Sequence, residues 1–140
     1  MKKTITSALA AALALVFILC FASCASDLAK VWENATYKED VTLGEGAKTA
    51  VIEVKVGDNK VTFTVKTDKD TVGEALLEHG LISGDPGPYG LYVKTVNGMT
   101  ADYDVDQSYW ALYINGESAM VGVDGAEIAE GSVYTLEYTK

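Results

Sequence analysis

Two groups of residues in this chain have types and spacings that suit chemistry. Asp102, Asp104 and Asp106 alternate, as ligands do at the start of a calcium-binding helix–loop–helix loop. Gln107 stands where that loop needs glycine, and Tyr113 where it needs a bidentate glutamate. The full motif therefore fails. The triplet reads either as a solvated acidic loop or as a weak calcium site outside that motif. The second group is aromatic: Tyr89, Tyr92, Tyr103, Tyr109, Trp110 and Tyr113 lie within 25 residues. Tyrosine and tryptophan combine apolar area with a polar tip, which suits a ligand or partner surface. The same residues are favoured in strands, so sheet-face packing is the competing reading. As a site, Tyr89, Tyr92, Trp110 and Tyr113 would form a shallow stacking platform beside the loop from Asp85 to Tyr89, and a buried Trp110 would remove it. Machinery for turnover is scarce. His79 is the only histidine, and it is expected in the last turn of a helix, where its partial positive charge suits the dipole. No Ser-His-Asp or Cys-His relay can be built without it, and no Gly-rich phosphate loop occurs. The expectation is a protein that is not an enzyme and requires no cofactor.

The amino-terminal residues carry an address. Lys2 and Lys3 precede an unbroken apolar or small run from Ala8 to Ala22, the pattern of a secretory signal. The run is shorter than the 18 or so residues of a bilayer-spanning helix. Phe21-Ala22-Ser23 before Cys24 resembles a lipobox, in which the cysteine receives diacylglycerol before cleavage. Leu19 is bulky before Cys20, which makes that cysteine the poorer candidate. The expectation is a signal peptide over 1–23, lipidation at Cys24, and a chain anchored on the extracytoplasmic face of the bacterial membrane. Ordinary cleavage, giving a secreted protein, is the alternative. Two acyl chains suffice for stable anchoring. The processed chain then keeps one cysteine and one histidine, too few for a zinc site of about four ligands, and forms no internal disulfide. The formal charge of −9 becomes −11 once Lys2 and Lys3 leave. Nucleic acid and anionic lipid surfaces are poor partners for such a chain.

Residues 24–48 show no sustained period and read as a tether and irregular lead-in, although Trp32 and Tyr37 are unusual in a free linker. Regular pattern starts near Thr49. Ile52, Val54 and Val56, then Val61, Phe63 and Val65, alternate with polar residues across Gly57-Asp58-Asn59, which is a β-hairpin pattern. Thr71 and Glu74 are spaced as a capping box for a short helix from about Val72 to His79, with Gly80 as its stop. Gly84 to Pro88 reads as a rigid loop, and Tyr89 to Val96 as a strand. Asn97-Gly98 and Asn115-Gly116 are two-residue hairpin turns. Tyr109 to Ile114 and the run Tyr134, Leu136, Tyr138 are strands, and Glu117 to Gly122 is expected to pair back. The expected class is α+β: a β-grasp-like mixed sheet packed on one short helix, forming one domain over 49–140.

From Trp32 onward the chain resembles a family of bacterial surface lipoproteins whose single domain is related to the carboxyl-terminal domain of transcobalamin. The segments that carry the likeness are WENATYKEDVTLGEGAKT (Trp32 to Thr49), FTVKTDKDTVGEALLEHGL (Phe63 to Leu81), YGLYVKTVNG (Tyr89 to Gly98), ADYDVDQSYWALYINGE (Ala101 to Glu117) and VYTLEYT (Val133 to Thr139). The resemblance implies the β-grasp-like fold and points to a corrinoid or similar small ligand. The leading functional expectation is a lipid-anchored module that captures a small molecule or feeds a neighbouring transporter. A protein-interaction or structural domain of the cell envelope is the second, and a weak metal binder using the acidic loop is the third.

Overall fold

Alternation dominates the first half of the fold. In the computed structural model, which describes residues 27–140, β2 (Lys48–Val56) and β3 (Asn59–Thr67) pair antiparallel in continuous register from Lys48↔Thr67 to Val56↔Asn59. Ala50, Ile52, Val54, Val56, Val61, Phe63 and Val65 all point to one face and are buried there, as the period of two requires. The helix α2 (Val72–Glu78) follows. Thr71 Oγ1 accepts the Glu74 N–H at 3.3 Å, and Glu74 Oε2 accepts the Asp70 N–H at 3.3 Å, so the capping box closes one residue further back than its simplest form. Val72, Ala75 and Leu76 form its buried stripe. His79 caps the carboxyl end, with Gly80 in the left-handed region at φ 64°.

A six-stranded mixed sheet runs in the order β1-β3-β2-β9-β7-β8. Here β1 is Val41–Leu43, β7 is Tyr109–Ile114, β8 is Glu117–Ser118 and β9 is Val133–Thr139. The pairs β1/β3 and β2/β9 are parallel. A separate three-stranded antiparallel sheet contains β4 (Ile82–Gly87), β5 (Gly90–Val96) and β6 (Met99–Thr100). It shares one core with α2 and the large sheet, through Leu81, Ile82, Val96 and Met99. The molecule is therefore mixed α+β and mostly sheet, with short helices, and a second sheet joins α2 in covering the core.

Three expectations change. The segment expected as a rigid loop pairs as β4 with β5, with an irregularity between Ser83 and Gly84. Proline is tolerated there because β4 is an edge strand, and a Cβ at Gly84 would come within 1.9 Å of the Tyr92 carbonyl oxygen. The return pairing of Glu117 to Gly122 stops at Ser118. From residue 27 on, the lead-in belongs to the folded unit. Residues 27–33 are helical (α1), Leu28, Val31, Trp32 and Tyr37 pack on the core, Ala35 is buried, and β1 joins the sheet. The signal peptide over 1–23, Cys20 and the lipidation at Cys24 lie outside the described residues.

Asn97 ties this lead-in down. Its side chain accepts the Tyr37 N–H at 2.9 Å and donates to the Tyr37 carbonyl at 2.8 Å. Its own N–H donates to Leu81 O at 2.8 Å, and its carbonyl accepts the Thr36 N–H at 2.9 Å. It does so at φ 51°, a conformation asparagine tolerates better than most residues, as the first residue of the turn to β6. Tyr37 then meets Phe63 edge-on, with centroids 5.6 Å apart at 87°. Asn97→Ala strands two half-buried main-chain groups and strains the turn, so it should destabilise by about 1–3 kcal/mol. Asn97→Gly, which keeps the turn, should recover part of that loss. Urea unfolding of both variants checks the order.

Candidate functional site

The four aromatic residues expected to form one platform are divided among three places. Trp110 is only 8% exposed. Its ring lies edge-on to Tyr138 at 5.7 Å, and its Nε1–H donates to the Lys94 carbonyl at 3.1 Å. It pairs with Tyr138 across β7 and β9 and shares that residue's core face. Tyr113, an odd number of positions further along β7, points to the opposite face and is half-buried. Tyr89 and Tyr92 stand on the β4–β5 hairpin, 94% and 44% exposed. With Trp110 withdrawn into the core, the shared platform does not form, and only Tyr89 and Tyr92 lie on one hairpin.

The acidic triplet occupies a single helical turn, α3 (Tyr103–Asp106). Residues two apart on a helix do not face each other, so strand-like alternation scatters the carboxylates. Asp102 caps the turn, accepting the Asp104 N–H at 3.1 Å. Asp106 accepts the Ser108 hydroxyl and the Ser108 N–H. Those bonds, with Lys140 nearby, hold its carboxyl below the usual range. Gln107 closes the turn at φ 64°, in the left-handed region where glycine would stand with less strain. Among the described residues no group of three or more His, Cys, Asp or Glu could hold a metal ion.

The structure instead gathers apolar residues at the hairpin tip. The long segment between β8 and β9 has little regular structure, yet it is pinned at Ala119, whose N–H donates to Leu112 O at 3.0 Å, and from Val123 onward. Val123 and Ala126 are buried, and their carbonyls accept the Gly73 and Val72 N–H groups, each at 2.9 Å. The Tyr134 hydroxyl donates to Glu127 O at 2.5 Å and accepts the Ala129 N–H at 3.0 Å. Asp124 Oδ2 accepts the Leu91 N–H at 2.8 Å, joining this segment to the β4–β5 hairpin. It fits because no side chain stands in its way. A Cβ on Gly73 would lie 2.4 Å from Asp124 Oδ1, and one on Gly90 2.7 Å from Oδ2. On this scaffold Met120 is 98% exposed and Val121 48%. Together with Tyr89, Ala119, Gly122 and Gly125 they line a shallow depression of about 460 Å³. Beside it on the hairpin, Asp85 and Lys94 pair at 2.8 Å, which raises the lysine's affinity for its proton. Sequence reasoning found Tyr89 but missed Met120, Val121 and Asp124. The available signal was the apolar run Ala119-Met120-Val121 next to Gly122, which the expected strand absorbed.

A mixed α+β domain with an apolar tip is the class defined by this geometry. Residues 69–140, just over half of the chain, match the family described as a domain of unknown function, DUF4430, and the chain belongs to that family. Among solved structures it is similar to a candidate metal-binding protein from Ruminococcus gnavus ATCC 29149. The two are 30% identical with a TM-score of 0.62, over 67% of this chain and 98% of that one. It is also similar in fold to haptocorrin, crystallised in complex with Cbi, at 17% identity and a TM-score of 0.51. That match covers 70% of this chain and 26% of haptocorrin. No curated protein sequence matches the chain.

The slot around Asp124 generates a test. Alanine in place of glycine within a helix ordinarily stabilises by roughly 0.5–1 kcal/mol. Gly73→Ala should do the reverse, because its Cβ meets Asp124 and the Val123 main chain. Asp124→Ala should change global stability by only about 1 kcal/mol, since Leu91 is partly solvated, while speeding amide exchange at Leu91 and leaving Tyr134 protected. Chemical denaturation and hydrogen-exchange NMR measure both.

Proposed function

We propose that this protein is a binding module whose ligand contacts the hairpin tip. One observation carries the reading: Tyr89, Met120 and Val121 are exposed side by side on backbone that buried anchors hold in place. Contiguous exposed apolar surface marks interaction sites. The packing of α2 across a mixed sheet supports a β-grasp-like reading of the fold. The names of the two structural neighbours, one a candidate metal binder and the other crystallised with Cbi, support ligand capture as the class of activity. A corrinoid is the ligand to try first. The face of a broad macrocycle suits a shallow surface made of a tyrosine ring, a methionine and a valine, where sulfur and aromatic contacts adapt to shape.

The surroundings fit an exported protein. Lys2, Lys3 and the run from Ala8 to Ala22 support a signal peptide, and Phe21 to Cys24 supports a lipid anchor on the extracytoplasmic face of the membrane. From there the module would hand its ligand to a transporter. Work by contact rather than turnover agrees with a chain holding one histidine. The apolar tip also suits a protein partner of the cell envelope, which is the second reading.

Calorimetric titration with cobinamide and cobalamin tests the first reading. Saturable binding is expected, weakened at least about tenfold by Tyr89→Ala and by Met120→Ala. No heat from either corrinoid up to about 1 mM would remove the corrinoid reading and favour the protein partner. The anchor has its own test. Cells expressing the chain should retain it in the membrane fraction with acyl groups detectable by mass spectrometry, and Cys24→Ala should abolish the acylation. An unmodified Cys24 in the processed protein would contradict the anchor.

A further inference from the structure

The large sheet is covered by α2 and the second sheet on one face only. On its other face a trough of about 660 Å³ crosses β9. Its floor is Val133 and Thr135, one wall is Glu53 and Lys55 of β2, and the other is Tyr113 of β7. The Asn115–Gly116 turn closes one end and Glu137 the other. The register explains the shape. Glu53 pairs with Thr135, and Thr135 pairs with Tyr113, so the walls stand two strand spacings apart, about 9.6 Å between backbones. The floor residues between them are short. Every wall residue sits on a strand inside a six-stranded sheet. The closing turn is fixed as well, since Asn115 Oδ1 accepts the Val133 N–H at 2.9 Å and the Asn115 N–H donates to Val133 O at 2.8 Å. The trough is therefore preformed.

Its chemistry is specific. Glu53 has a loose ion pair with Lys60 at 3.6 Å. Among the described residues the Tyr113 hydroxyl, the Thr135 hydroxyl, the Lys55 ammonium and the Glu137 carboxylate bond to no other side chain, and all four line or border the same depression. The lining carries both signs, Lys55 against Glu53 and Glu137, and Lys60, outside the lining, pairs with Glu53. An anion would face two carboxylates and a cation an ammonium, so neither sign of charge is matched throughout and an uncharged ligand fits best. Tyr113 offers a ring face, and the residues around it offer donors and acceptors at its rim. A flat ring with apolar faces and hydroxyls around its edge answers both.

We infer that this trough binds a neutral sugar ring, stacked on Tyr113 with its hydroxyls bonded to Glu53, Thr135, Lys55 and Glu137. The trough is open above its floor, so a bound ring keeps its neighbours in solvent, as a unit within a longer glycan must. The site lies on the face opposite the core, away from the hairpin tip, and does not depend on the reading of that tip. The experiment is ¹H–¹⁵N NMR of the full chain in phosphocholine micelles, titrated with neutral tetrasaccharides of glucose, N-acetylglucosamine, mannose and galactose. At least one should shift the amides of Glu53, Tyr113 and Thr135 saturably, with little change at 0.5 M salt as an uncharged ligand requires. Tyr113→Ala should weaken that binding at least about tenfold, Tyr113→Phe by no more than about threefold, and Tyr89→Ala not at all. The parent monosaccharide should bind about tenfold more weakly than the tetrasaccharide. Three outcomes overturn the proposal: no shift from any of the four sugars at about 20 mM, an unaltered response in Tyr113→Ala, or the same shifts on raising protein concentration alone, which would make this face a contact between copies. Equal affinity for the monosaccharide would replace the glycan by a free sugar.

Discussion

The parallel pairing of β2 with β9 is the constraint from which the architecture follows. Two parallel neighbours cannot be joined by a tight turn, so the chain between them must leave the sheet and cross over. Here that crossover includes α2, the whole second sheet, α3 and the pinned segment before β9, as well as β7 and β8 on the far side of β9. The apolar residues of β2, β3, β7 and β9 turn toward that crossing material. Ile52, Phe63, Tyr134 and Leu136 are each 1% exposed or less. All the cover lies on one side, so the opposite face is left to polar and half-buried side chains.

The tip and the trough therefore arise from different causes. Tip geometry depends on local anchoring, with Val123 and Ala126 in the core and Asp124 between two glycines. Trough geometry depends on register, with short residues on β9 between longer ones on β2 and β7. The lead-in adds a third kind of attachment. Tyr37 and its neighbours reach the core through Asn97 and Phe63, and β1 extends the sheet beside β3.

Much of this was legible from local pattern. The β2–β3 hairpin follows from unbroken alternation, and α2 from its cap and its stripe. Both Asn-Gly turns adopt positive φ at both residues, as their composition demands. Long-range partners were not legible. Nothing near Val51 announces that Val133 lies beside it, because that pairing spans some eighty residues. Parity is half-visible: residues three apart on a strand face opposite ways, as Trp110 and Tyr113 do, but only the packing of Tyr138 decides which of them is buried. At β4, glycine and proline outweighed the strand signal. At Met120 and Val121, apolar residues that mean a strand elsewhere mark an exposed surface.

The position of β9 has a temporal side. Ribosomes deliver this chain from its amino terminus, so the β2–β3 hairpin emerges with one flank unpaired while about sixty-five residues still separate it from its neighbour in the sheet. The centre of the sheet can fill only after Val133 to Thr139 has arrived. Contacts of such sequence separation fold slowly, and an unpaired strand flank is prone to joining another molecule. The protein is thus most vulnerable to misassembly while it is being delivered, and a loss of even a few residues from β9 removes the middle of the fold rather than its margin.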